Sequence, residues 1–460
     1  MINLSSSVKE KIVNNHVENI LTLQLIDVVN GTETVVDTIT EENIVSESMT
    51  LKQSICDGDA FKYGGCIASE FDIQLLNTES KQFEQGSLTG KYLRAVLTQT
   101  YSNGWLYPSQ SLYPSPNLYP GEQLDSVSIV LFFGKIDSAK RSESDKNIRE
   151  ITAYDPISFL FKKNIAEVVK DYLRANQPII QLLVPPITHF TERITDVVTS
   201  DWSLCHLYGA ALHNYEWMKS GGQINAGGFL RNCCELCCGF GYYRPSEDKI
   251  RLIHYNSGFL GEETYEKYES LFVEESKLKP FVGVLFPYGG KKISNQTVIE
   301  TNKESKNAYY DCANNQVFEL KTDTAAHSEL TQAILKFHYY DLTDNFLAWD
   351  YSADSQADNF KIIESFATDF DDSDEHRIAH DTDFTPCRLT VEGRPWVEPG
   401  DTIKVKIPKT NIYGNYLDSN GNVVETYAEA QKEIFKTRVF NRTLTGIKAL
   451  TDNIELKGEI

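Results

Sequence analysis

At 460 residues the chain has length for three to four domains, and a body of that size closes its cores by burial, without disulfide or metal staples. Hydrophobic residues at 41%, aromatics at 11% and charged residues at 24% exclude wholesale disorder, collagen and coiled coil. With 44 Lys+Arg against 65 Asp+Glu, the net charge of -21 opposes stable binding to nucleic acid, whose affinity comes from neutralising phosphates, and to anionic lipid.

Nine cysteines, odd in number and scattered, do not form a secreted disulfide framework. The opening MINLSSSVKEKIVNN lacks the apolar core of a secretory signal, and no apolar run is long enough to span a bilayer. The expectation is a protein assembled in a reducing cytosol.

The N-terminal third reads as β. Residues 22–28 and 33–39 alternate with period two on either side of Asn30-Gly31, the strongest short hairpin signal. Residues 71–76 and 92–98 are further strands, and 127–136 (VSIVLFFGKI) is so apolar that both its faces should be covered. Residues 148–154 follow as another strand. Between these lies WLYPSQSLYPSPNLYPGE, in which Leu-Tyr-Pro recurs at 106–108, 112–114 and 118–120. Its prolines favour extended, solvated backbone. It reads as a projecting loop packed on itself or on a neighbouring subunit, with an aromatic recognition loop as the alternative.

Apolar residues at helical spacing over 157–173 predict a helix, and 203–218 and 228–238 predict two more. Residues 241–243 and 249–255 read as a hairpin, 282–286 as a strand, Gly289-Gly290 as a turn and 326–339 as a helix. Residues 341–387 hold 13 Asp+Glu against Lys361 and Arg377, a net of -11 (2 - 13). From Arg388 the charges nearly balance and the pattern is β again. Pro399-Gly400 gives the residue types of a type II turn, feeding a strand with Ile403, Val405 and Ile407 on one face and Lys404 and Lys406 on the other. Residues 438–447 and 453–459 should close a small C-terminal barrel, and the Leu-Tyr-Pro run is the one internal repeat that stands out.

Candidate chemistry is sparse. Cys233, Cys234, Cys237 and Cys238 fall within six residues on a predicted helix. Four thiolates there cannot converge on one tetrahedral ion without breaking the helix, so small buried packing residues are preferred to a metal or redox site. Glu375, His376 and His380 superficially resemble a zinc-peptidase helix, but Arg377 stands where the general-base glutamate is needed. Asp369, Asp371, Asp372, Asp374 and Glu375 begin like a calcium loop that lacks its glycine and closing glutamate; a solvated or pore-facing charge run is preferred. No Gly-rich phosphate loop and no Gly-x-Ser-x-Gly is present. The expectation is no enzyme, with catalytic, metal and cofactor residues all none.

In the order and spacing of several segments, the chain resembles the tail hub, or tail-tip, proteins of phages and prophages of Gram-positive hosts, relatives of contractile-tail baseplate hubs. The segments are 42–55 (ENIVSESMTLKQSI) leading to 61–69 (FKYGGCIAS), then 133–136 (FGKI), 149–155 (REITAYD), 230–243 (LRNCCELCCGFGYY), 393–405 and 442–450 (RTLTGIKAL). The Leu-Tyr-Pro insertion departs from the family pattern, and the peptidase or carbohydrate-degrading extension of some members is missing. The resemblance implies a β-rich α+β fold with several small barrel-like β domains and intervening helices. Its divisions are a tube-like domain at 1–160 with an insertion at 101–123, a helix-containing domain at 161–260, a second tube-like domain at 261–387, and a small barrel at 388–460. It also implies a homotrimeric ring joining the six-fold tail tube to a central spike or fibre, located in the virion tail after assembly in the host cytoplasm. The implied partners are itself, the tail tube or distal tail protein, the spike or fibre protein and the tape measure protein. DNA is met only in transit, and no stable membrane binding is expected. Rival readings are a tail-associated peptidoglycan hydrolase using Glu375, His376 and His380, and a receptor-binding module using 106–120.

Overall fold

The structure, a computed structural model, describes residues 2, 4–14, 17–29, 32–56, 64–105, 122–165, 197–198, 225–236, 239–254, 260–273, 281–287, 291–294, 297–300, 307–311, 316–320, 338–341 and 386–456. It is β-rich. In its first part a helix, α1 (Ser6–Asn14), precedes β1 (Val17–Val29) and β2 (Thr32–Ile39). These two pair antiparallel from Leu23↔Ile39 to Val29↔Thr32, the hairpin pairing that the Asn30-Gly31 signal predicts; Asn30 and Gly31 themselves lie outside the described residues. Then come β3 (Thr50–Ser54), β4 (Glu70–Leu76), the one-turn α2 (Gln85–Leu88), β5 (Tyr92–Trp105), β6 (Glu122–Arg141) and β7 (Ile148–Tyr154).

Burial along β1 alternates through Asn19, Leu21, Leu23 and Leu25 and then changes phase at Ile26. At the same point the register with β2 shifts, Leu25 facing Asp37 and Ile26 facing Val35, which leaves Val36 of β2 as the extra, bulged residue. In β6, residues 131–134 are all buried, as an apolar run covered on both faces requires. Phe132 stacks on Phe71 at 5.1 Å. Phe133 stacks on Tyr92 at 5.4 Å, and Tyr92 meets the edge of Phe159 at 6.3 Å. Phe159 belongs to α3 (Ile157–Leu160), the short helix that follows β7.

The helix expected over 157–173 stops at Leu160. Lys163 O accepts the Ala226 N–H at 2.9 Å and Asn164 bridges to Asn225, so tertiary pairing takes over the backbone that helical spacing had assigned to another turn. Residues 166–173, and all of the helix expected at 203–218, lie outside the described residues. After the two-residue β8 (Val197–Val198) comes α4 (Ala226–Leu236), as the 228–238 pattern predicted, then the hairpin β9 (Gly239–Arg244) and β10 (Lys249–His254), paired from Arg244↔Lys249 to Gly239↔His254.

The later strands are β11 (Glu262–Tyr265), β12 (Ser270–Val273), β13 (Phe281–Pro287), β14 (Lys291–Ser294), β15 (Thr297–Glu300), β16 (Asn307–Asp311), β17 (Gln316–Leu320), β18 (His338–Asp341), β19 (Cys387–Glu392), β20 (Thr402–Pro408), β21 (Lys432–Arg438), β22 (Asn441–Thr445) and β23 (Thr451–Leu456). Strands β13–β18 form a six-stranded sheet in the order β15-β14-β17-β16-β13-β18. The helix expected over 326–339 is corrected at its end: His338 and Tyr339 open β18, which pairs parallel with β13. The Gly289-Gly290 turn lies outside the described residues.

The largest sheet has eleven strands in the order β12-β19-β23-β22-β3-β4-β7-β6-β5-β1-β2. Its fourth and fifth strands are β22 and β3, paired in register from Asn441↔Ser54 through Thr445↔Thr50, so one ladder contains strands from both ends of the chain. The strand expected over 438–447 is divided at Val439-Phe440, which carries the chain from one sheet to another. Arg438 ends β21, in the three-stranded sheet β11-β20-β21; the Gly400 N–H then bonds to Val439 O at 2.7 Å and the Ile55 N–H to Phe440 O at 2.9 Å. The turn at 398–401 is type II as predicted, with Gly400 at φ +89° and the Asp401 N–H donating to Glu398 O at 3.2 Å. It delivers Ile403 and Val405 to the core, while Lys404 and Lys406 remain partly exposed. A single cluster of buried residues runs from Leu21 and Phe71 through Phe132 to Trp396, Leu444 and Ile454.

Candidate assembly junction

The segments that carry the family resemblance lie far apart in sequence and meet in space. Gly64 donates its N–H to Gly239 O at 2.7 Å, and Gly65 O accepts the Gly241 N–H at 2.8 Å. A Cβ at Gly65 would sit 1.5 Å from Ile55 O, and one at Gly64 would sit 2.6 Å from Glu235 Cβ, at a φ of +81°. Only glycine allows this approach of three backbones. The cysteines complete it: a Cβ at Gly241 would meet Cys66 Sγ at 3.0 Å and Cys234 Sγ at 3.5 Å. Burial pushes the Cys66 and Cys233 thiols well up, which keeps them protonated and disfavours metal ligation or nucleophilic attack. Cys56, Cys66, Cys233, Cys234 and Cys387 are buried thiols outside any disulfide; Cys237 and Cys238 lie outside the described residues.

Asp155, which ends the ITAYD segment, fastens the 64–69 segment to β7 and α3. Its Oδ2 accepts the Ser69 N–H at 2.8 Å and its Oδ1 accepts the Ile157 N–H at 2.9 Å. Burial pushes its carboxyl up to about 7, against the opposing pull of those two bonds.

Three buried arginines tie the C-terminal strands to this centre. Arg442, on β22, donates from Nε to Asp452 Oδ1 at 2.7 Å and from Nη2 to Asp452 Oδ2 at 3.0 Å. It also donates from Nη2 to Arg394 O at 2.8 Å, and from Nη1 to Val397 O and to Gln53 Oε1 at 3.3 Å. All the donors of the guanidinium fork are thereby used. Gln53 Nε2 in turn donates to the Tyr242 hydroxyl at 2.8 Å, joining β3 to β9. Arg244, on β9, holds Glu398 in a two-pronged pair at 3.0 and 2.6 Å and Glu247 at 3.1 Å. Asp401 closes the Pro-Gly turn by accepting the Glu398 N–H at 2.8 Å and reaches across to the Gly261 N–H at 2.7 Å; burial raises its carboxyl above the ordinary value. Arg394 pairs with Glu263 and lies 4.0 Å from the Tyr265 ring centroid, while Trp396 Nε1 donates to Glu263 Oε2 at 3.0 Å.

Charges spent on one another in this way fasten elements together; they do not face a substrate. Among the described residues no group of three or more His, Cys, Asp or Glu is placed to hold a metal ion, and no helix is long and apolar enough to cross a membrane. The other chemistry-bearing candidates lie outside the described residues: the 106–120 loop, the 369–375 run, Glu375, His376 and His380, and all of 341–387 except Asp341, Pro386 and Cys387. Sequence reading missed Arg442–Asp452, Arg244–Glu398 and Arg394–Glu263, because partners that meet only through the fold leave no local spacing. The available signal was a charge at an inward position of an apolar alternation, as at Arg442 in RTLTGI.

No protein-family model matches this chain, and no curated protein matches it. Among solved structures it is similar to a 43 kDa tail protein of prophage MuSo2 from Shewanella oneidensis, with 8% identity, a TM-score of 0.41, and 95% of this chain and 98% of that one covered. It is also similar to the E. coli c3393 protein, a component of the type VI secretion system that exhibits structural similarity to T4 bacteriophage tail proteins gp27 and gp5. There the identity is 8%, the TM-score 0.34, and the coverage 91% of this chain and 75% of that one. No residue role passes from either to this chain.

Proposed function

We propose that this chain is a structural tail protein of a phage or prophage: a homotrimeric hub that joins the tail tube to a central spike or fibre and lines the channel through which DNA passes. The observation that carries the reading is the junction itself. Residues 42–55, 61–69, 133–136, 149–155, 230–243, 393–405 and 442–450 resemble the hub family in order and spacing, and all of these segments but 133–136 supply residues (Gln53, Gly64, Gly65, Cys66, Asp155, Tyr242, Arg394, Glu398, Asp401 and Arg442) to one connected, buried centre. A resemblance spread over seven separate segments gains weight when six of them pack together.

The charge of -21 agrees with this role. DNA carries one negative charge per ~1.7 Å of axis, so an acidic lumen lets it slide without adsorbing. On this reading the hub makes and breaks no bond, and its partners are two further copies, the tail tube or distal tail protein, the spike or fibre protein and the tape measure protein.

Native mass spectrometry of the purified chain, alone and with the tail tube protein, tests the proposal. A species of three chains is expected. A monomer at every concentration and in every mixture would reject it.

A further inference from the structure

Two features of the described chain match in size and chemistry. The first is a solvent-open hollow of about 110 Å³ lined by the aliphatic Leu21, Ile44 and Ile447 and edged by Glu41, Ser46 and Lys448. Its wall is held rigid: the Glu47 carboxylate accepts the N–H groups of Ile447 at 2.8 Å and Lys448 at 3.0 Å. Asn19 Nδ2 donates to Lys448 O at 3.1 Å, and Gln99 Nε2 holds Asn19 in turn at 2.9 Å. Glu47 does this at φ +55°, a backbone region that residues with a Cβ seldom adopt and that persists where the surroundings enforce it.

The second feature is the excursion between β20 and β21, residues 409–431. It contains a seven-residue repeat that the sequence reading overlooked: Asn411-Ile-Tyr-Gly-Asn-Tyr-Leu417 followed by Asp418-Ser-Asn-Gly-Asn-Val-Val424. Each half folds identically. The first side chain accepts the N–H groups two and four residues on, at 2.9 and 3.1 Å from Asn411 and at 2.8 and 2.8 Å from Asp418. Gly414 and Gly421 take φ +80° and +83°. The two turns are knitted back by Leu417 N–H to Lys409 O at 2.9 Å and Gln431 N–H to Leu417 O at 2.8 Å. On this stiff support Ile412 is 91% exposed and Tyr413 81% exposed. In the second half the equivalent positions carry Ser419 and Asn420, so the apolar pair is not a requirement of the turn.

We propose that Ile412, with Tyr413 beside it, seats in the Leu21–Ile44–Ile447 hollow of a second copy of this chain. An apolar cavity of roughly 150 Å³ admits a benzene, so 110 Å³ suits the four-carbon side chain of isoleucine. Charge singles out the same pairing. Two bodies of charge -21 repel where like charges meet; residues 410–417 carry no charge, so seating them in the hollow sets none against Glu41 at its edge or Glu47 in its wall. Knob and hole lie on different parts of one chain, so each copy can offer its knob to the next, a head-to-tail contact of the type that closes rings. The inference rests on the self-assembly of the proposed hub and names its contact.

The test mixes an Ile412→Cys chain with a Ser46→Cys chain under mild oxidation, with native mass in parallel. A reducible cross-link that forms in the mixture and with neither variant alone is expected. Ile412→Asp, at a position without intrachain packing, should weaken self-association by roughly tenfold or more with unfolding unchanged. A trimer with no mixed cross-link and no response to Ile412→Asp overturns this contact and leaves the hub standing. A cross-link within a dimer or open polymer supports the contact and overturns the trimer. A monomer with no cross-link overturns both.

Discussion

Asp155 is the residue at which burial and hydrogen bonding disagree most. Two backbone N–H groups favour its carboxylate, burial disfavours it more strongly, and the folded value rises to about 7 from an ordinary value near ~3.9. A carboxyl raised in the folded state takes up a proton on folding between those values. Its ionisation therefore costs nothing below about pH 4, and the cost grows to its full size above about pH 7. Urea unfolding of wild type and Asp155→Asn at pH 5 and pH 8 should show the variant gaining on wild type as pH rises, by up to a few kcal/mol. A pH-independent difference would refute the assignment. Tyr265 offers a second measurement, since its buried hydroxyl finds no hydrogen-bond partner among the described residues. Removing an unpaired buried polar atom relieves a desolvation penalty, so Tyr265→Phe should leave the melting temperature unchanged or raise it. Arg442 is the opposite case, fully engaged, and Asp452→Asn should cost about 3–5 kcal/mol in chemical denaturation because it strands a buried guanidinium.

Among the elements, hairpins and strand faces were legible in advance and helix ends were not. The Asn30-Gly31 signal and the Pro399-Gly400 turn declare themselves through backbone requirements that few residue types meet, whereas the apolar 127–136 run is continuously buried only at 131–134. Gly65 shows how strict such a requirement becomes. With a Cβ placed 1.5 Å from Ile55 O, Gly65→Ala must part the 64–66 segment from Ile55 and should unfold the junction, seen as lost solubility or a melting temperature lowered by several degrees. Gly414→Ala, where nothing lies within 4 Å of the added carbon, should register only the strain of its positive φ and serves as the control. By contrast, the 157–173 pattern satisfied helical spacing and still ended at Leu160, since the bridge from Asn164 to Asn225 outweighs a periodicity that distant chain can overrule. The excursion repeat at 411–424 escaped notice for another reason: its signature is hydrogen bonding by Asn or Asp, two residue types that look unlike in a search for identity.

For the whole molecule, the central fact is that β22 lies against β3. A barrel of its own was the natural reading of residues 388–460, because alternation identifies strands without saying which edge they seek. The edge that β22 covers belongs to a strand made near the start of the chain, and Ser54 and Asn441, joined across it, are 387 positions apart. A chain ending at residue 386 should leave β3 as an open edge and be recovered from expression as aggregate, whereas supplying 387–460 in trans should return part of it to solution. At ~5–20 residues per second, a ribosome needs roughly 20–80 s after completing β3 to release the strand that shields it. Over that interval the nascent protein offers an unsealed seam to every neighbour on the same message, so chaperones and spacing between ribosomes bear on its yield, and a nonsense codon late in the reading frame is as damaging as an early one.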